Sequence, residues 1–185
     1  MRKLNLNPQP GTPDQDIEIT HRRTGERFIA ESKSACRGSM TAGTRAKLHK
    51  TPHFKVKCHR SRSNTTAAMN DRYSTDSFDV LVTNPSNALF KGGTIGEAFE
   101  VVEDPALIRV LFAMYGVTSN EELIQATLKD WRFVFPPVIA EQGYIPRTPV
   151  VYLTDDPNWR SMDRLESQLE QAVRQRQEQR RRSRS

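Results

Sequence analysis

Apolar and polar positions change their spacing several times along the chain, and each change marks an element. Over residues 15–31 two short alternating runs flank Thr24-Gly25, with Ile17 and Ile19 on one face and Phe28 and Ala30 on the returning strand. That pattern predicts a β-hairpin. Pro8, Pro10 and Pro13 supply no backbone donor, so residues 1–14 are expected to form an irregular tail. Residues 32–75 hold a single apolar run, where Phe54 and Val56 alternate with Lys55 and Lys57. This predicts a half-exposed strand inside a basic, partly disordered arm.

From residue 76 the apolar pattern tightens. Phe78 to Thr83 form a short apolar run, rich in valine, that stops at Asn84-Pro85, as a buried strand does. After Gly92-Gly93, a second alternating run leads to Asp104-Pro105, an N-cap followed by the first position of a helix. Leu107, Val110, Leu111 and Met114 then recur at helical spacing up to Gly116. Ser119 with Glu122 makes a capping box for a second helix, whose expected buried stripe is Leu123, Ile124, Thr127, Leu128 and Trp131. Phe133 to Phe135 end at Pro136-Pro137, a loop crosses to Pro149, and residues 150–153 form another strand running into Asp155-Asp156-Pro157. A last helix is predicted from about Pro157 to Arg180, with Trp159, Met162, Leu165, Leu169 and Val173 along one stripe. About two heptads are too few for a coiled coil, so this stripe is assigned to packing against the core or another subunit. The fold expected is α+β: a small mixed core of short strands with a two-helix hairpin over 76–160, a basic N-terminal arm, and a C-terminal amphipathic helix with a basic tail over 161–185.

Composition changes this picture through the placement of charge. The 185 residues carry 28 Lys and Arg against 22 Asp and Glu, for a net charge of +6. Residues 1–75 have 15 basic and 6 acidic side chains, residues 76–160 have 6 and 12, and residues 161–185 have 7 and 4. Between Glu31 and Asp71 lie 39 residues without an acid. Solvated loops normally mix signs, whereas a segment that neutralises phosphates gains by excluding acids. The phosphate-contact candidates are Arg37, Arg45, Lys47, Lys50, Lys55, Lys57, Arg60 and Arg62. Phe54 and Tyr73 are the only aromatics offered for base stacking, so contact with the backbone is expected. The terminal run Arg180 to Ser185 adds a second basic patch.

Other constellations are weaker. Cys36, His49, His53 and Cys58 have ligand types suited to zinc, but the paired-cysteine knuckle is missing and one cysteine follows the histidines. Asn84-Pro85 resembles part of the strand-end Asn-Pro-Pro-aromatic motif of amino-methyltransferases, yet Ser86 and Asn87 replace its second proline and its ring. Asp155 and Asp156 at a strand end suit a divalent cation and define a third reading, a metal-dependent phosphoryl-transfer enzyme. Glu121, Glu122 and Asp130 oppose a DNA-reading role for the helix pair. With no cofactor fingerprint, no long apolar run and no apolar signal core, the expectation is a non-enzymatic, unexported assembly protein needing no cofactor, cytoplasmic or inside a virion or ribonucleoprotein particle. It contacts nucleic acid and other subunits and no membrane; the alternative is a protein-only assembly subunit whose arm and tail wrap its neighbours.

Overall fold

A computed structural model describes residues 4–8, 16–36, 53–59, 71–91, 100–101 and 105–183. Its main sheet is six-stranded and mixed, in the spatial order β1 (Leu4–Pro8), β2 (Ile17–His21), β3 (Arg27–Ser32), β6 (Val80–Thr83), β9 (Arg132–Val134) and β11 (Arg160–Ser161). Neighbouring strands are antiparallel except β3 and β6, which are parallel. β6 is central and buried at every residue, which is why its sequence reads as a continuous apolar run. Gly25, at a φ of +70°, makes the turn between β2 and β3, where the register sets Ile17 opposite Ala30 and Ile19 opposite Phe28.

The parallel step from β3 to β6 needs a crossover, and the chain uses it to build a second sheet. Here β5 (His53–Val56) lies between β4 (Ala35–Cys36) and β10 (Val150–Tyr152), antiparallel to both. Two short strands, β7 (Phe90–Lys91) and β8 (Glu100–Val101), pair separately. The helices are α1 (Ser86–Leu89), α2 (Pro105–Tyr115), α3 (Asn120–Lys129), α4 (Pro136–Ile139) and α5 (Leu165–Arg182), the last preceded by a 3-10 turn over Met162–Arg164. At the start of α3 the Ser119 hydroxyl accepts from the Glu122 amide at 3.2 Å, and the Glu122 carboxylate accepts from the Thr118 amide at 2.8 Å. Those Thr118 bonds hold the Glu122 carboxyl below its ordinary range.

The alternation of side chains divides the core between the two faces of the main sheet. Ile19, Phe28, Ala30, Val80, Val82 and Phe133 face one way, and Leu165, Leu169 and Val173 of α5 cover them. Leu81, Val134 and Phe78 face the other way, toward Phe54, Val56 and Val151 of the small sheet and toward Leu111 of α2 and Leu123 of α3. A helix, a sheet, and a layer of strands and helices are therefore stacked.

Several expectations need correction. Leu4–Pro8 is an edge strand and not an irregular tail: Pro8 sits at its end, where a missing donor disrupts no central ladder. The stretch 32–75 is not one arm, because Ala35, Phe54, Val56, Cys58 and Tyr73 are buried in the core. No helix starts at Pro157. Asp156 instead organises a turn, its carboxylate accepting from the amides of Tyr152 at 2.6 Å, Asn158 at 2.8 Å and Trp159 at 2.7 Å; β11 follows, and α5 begins at Leu165. Of the two uses left open for the last stripe, the core takes it: Leu165, Leu169 and Val173 are buried in their own chain with Met162 packed beside them, and Trp159 is buried in the cluster on the other side of the main sheet. Leu128 and Trp131, expected inside, are 39% and 41% exposed, because α3 turns its Leu123 and Thr127 face inward. Pro136-Pro137 opens α4 and not a loop.

Candidate nucleic-acid interface

The small sheet places the folded part of the acid-free segment. In β5, Phe54 and Val56 point into the core, as does Val151 opposite Phe54 in β10. The outer face then carries His53, Lys55, Val150 and Tyr152, because Lys55 lies opposite Val150 and His53 opposite Tyr152. His53 and Tyr152 meet edge to face, with ring centroids 5.7 Å apart. Lys57, just past β5, is exposed, and its amide donates to the Ser34 carbonyl at 3.0 Å.

Of the eight phosphate candidates, Lys55 and Lys57 therefore share one side of the small sheet. Arg37, Arg45, Lys47, Lys50, Arg60 and Arg62 lie outside the described residues, as does His49. The ends that flank them are fixed. Residues 37–52 connect β4 to β5 at the His53 end. Cys58 and Asp71 both meet Arg147, whose carbonyl accepts from the Cys58 amide at 2.9 Å and whose guanidinium pairs with Asp71 at 2.7 Å. Tyr73 and Phe54, the two aromatics offered for stacking, are 2% and 0% exposed and belong to the core.

Not every cation of the segment faces outward. The Lys33 ammonium is hydrogen-bonded to Glu31 and stands 5.0 Å over the Tyr73 ring. Burial opposes its charge, but Glu31 and Tyr73 outweigh that and hold it above the ordinary lysine range. Cys58 lies nearby with no exposed surface. Burial pushes its thiol up to about 12, partly offset by Lys33 and reinforced by Glu31. Cys58 is buried whereas His53 stands on the outer face of β5, so the two are not brought together. Among the described residues no group of three or more His, Cys, Asp or Glu is placed to hold a metal ion.

The buried thiol gives a pH signature. Folded Cys58 keeps its proton above pH 9, where the unfolded thiol releases it. Its contribution to stability is therefore complete below about pH 9 and lost as pH rises toward 12. Urea midpoints should fall across that window, and mapping of alkylated peptides at mildly alkaline pH should find Cys58 protected until unfolding. Rapid alkylation of native Cys58 would contradict its burial.

Of the second basic patch, Arg180 is paired within the chain, as is Arg176 one turn before it. Arg176 donates to Asp79 at 2.6 Å and lies 4.4 Å from the centre of the Phe28 ring, and Arg180 donates to Glu26 at 2.5 Å. Asp155 is exposed at a φ of +49°, and Asp156 is engaged in its turn. Asn84 bridges elements: its amide donates to the Thr127 carbonyl at 3.0 Å, and its oxygen accepts from Ser86 at 2.8 Å.

The sequence reading missed Arg132, which joins the two sheets. Its guanidinium donates to both Asp130 oxygens, at 3.0 and 2.9 Å, and to the carbonyls of Tyr152 at 2.5 Å and Leu153 at 3.1 Å. Tyr115 donates to the same Asp130 at 2.7 Å. Nothing local in the sequence announces this, since the partners are brought together only by β9 and β10. No helix among the described residues is long and apolar enough to cross a membrane. No protein-family model, curated protein or solved structure matches the chain.

Proposed function

We propose that the protein is a non-enzymatic structural or assembly component that contacts nucleic-acid phosphates through its acid-free basic segment, as a virion or ribonucleoprotein particle requires. One observation carries the reading: Lys55 and Lys57 stand on the outer side of a folded strand, in the middle of 39 residues that contain no acid. Extended backbone running on from the end of β5 spaces two such cations at about 6.6 Å, close to the spacing of successive phosphates along an extended strand. Arg37, Arg45, Lys47, Lys50, Arg60 and Arg62 belong to the same acid-free segment of the sequence.

Counterion release gives the test. Six to ten phosphate contacts lower affinity by about 10³–10⁵ between 50 and 200 mM salt. Titration of a labelled RNA across that range should give a steep linear dependence on the logarithm of salt concentration, and replacing the eight basic residues should flatten it. An affinity indifferent to salt, or unchanged by those replacements, would sink the reading. The protein-only alternative draws support from Leu6, 62% exposed on edge strand β1. An oligomer that survives nuclease and carries no ultraviolet signature of nucleic acid would favour it.

A further inference from the structure

Resting on that reading, we infer that the outer face of the small sheet is a base-stacking platform that selects single-stranded over duplex nucleic acid, with Tyr152 and His53 as the stacking surface and Lys55 and Lys57 as the phosphate grip. Three observations meet here. Tyr152 and His53 are opposite one another on adjacent strands, both partly exposed, with ring centroids 5.7 Å apart. Their sheet face also carries Lys55, two residues from His53, with Lys57 following; no acid stands on the strand residues of β5 or β10. The inward face of the same strands is apolar core, so the rings are presented from a fixed support. Successive bases of a single strand expose their faces to such rings, while the lysines track the backbone beside them. A duplex keeps its bases stacked internally and offers only phosphates.

Arg132 helps hold this surface, because it takes the Tyr152 carbonyl from the side of the main sheet. Asp156 anchors the Tyr152 amide. The ring that would meet a base therefore comes from a residue whose backbone is fixed by two charged side chains.

The test measures binding of the full chain to a labelled oligouridylate, an abasic strand of equal length and an RNA duplex, each over a salt series. The expected result is preference for the oligouridylate, reduced about tenfold by Tyr152→Leu and retained by Tyr152→Phe. The salt slope should stay unchanged in Tyr152→Leu, whereas Lys57→Ala should lower it by about one. The abasic strand should bind wild type weakly and Tyr152→Leu equally. His53→Ala, at the start of the strand, provides a second reading if Tyr152→Leu melts early. If Tyr152→Leu and His53→Ala both leave oligouridylate affinity intact, or the abasic strand binds as well as the oligouridylate, the platform is overturned while phosphate binding stands. If none of the probes binds, or binding ignores salt, the platform and the proposed function fall together.

Discussion

Arg132→Ala is expected to destabilise the protein by about 3–5 kcal/mol, the cost of breaking a largely buried ion pair and leaving its partner uncompensated. The Arg132 side chain is only 14% exposed, and that of Asp130 15%. Removing the guanidinium takes away both of its donors to Asp130 and leaves the Tyr152 and Leu153 carbonyls without this donor. The Tyr115 hydroxyl would continue to donate to Asp130, but it brings no compensating charge. Arg132→Lys should recover less than half of the loss, because a single ammonium cannot serve a carboxylate on two oxygens and two carbonyls together. At roughly 2–4 °C per kcal/mol for a chain of this size, the alanine variant should melt about 10 °C early. The double replacement with Asp130→Asn should cost clearly less than the two single changes added. A loss below about 1 kcal/mol would show that the two sheets are held together by apolar packing alone.

The same arginine shows where sequence reading stops. β6 was legible because burial on both faces leaves an uninterrupted apolar run, and Ser119 and Glu122 were legible because a cap is built within four residues. Period-two alternation about Gly25 marked Ile17, Ile19, Phe28 and Ala30 as strand residues, and the structure supplies their register. Arg132 joins residues about twenty apart through strand order, which no local period records. Asp155-Asp156-Pro157 misled because an aspartate that accepts backbone amides ahead of a helix and one that does so in a turn have the same local sequence. Residues 150–153 read only as a strand, and it takes the register with β5 to show that Val151 alone of β10 turns inward while Tyr152 does not. Phe54 and Tyr73 were offered as surface rings because their neighbours are basic. Alternation of Phe54 with Lys55 shows that a strand can carry a cationic outer face and an apolar inner one at once.

Leu169→Ala is expected to cost about 2–5 kcal/mol, and it separates internal docking of the C-terminal helix from docking on another subunit. Leu169 is fully buried between Leu165 and Val173 on the stripe that covers Phe28, Val80 and Phe133. Two kinds of contact hold this helix. The apolar stripe contributes transfer and packing energy that salt does not screen. Arg176 and Arg180 bind Asp79 and Glu26 where the arginine side chains are 36% and 63% exposed, and such pairs are worth about 0–1 kcal/mol each. Leu169→Ala should therefore lower the urea midpoint equally at low and high salt, while Arg176→Ala has a smaller effect that added salt erodes. Protein concentration decides the remaining point. A stripe used within one chain gives a loss independent of concentration, whereas a stripe shared between subunits makes the midpoint rise with concentration and the loss appear as dissociation. Concentration dependence in the wild type that disappears in Leu169→Ala would return the helix to the role of a partner surface.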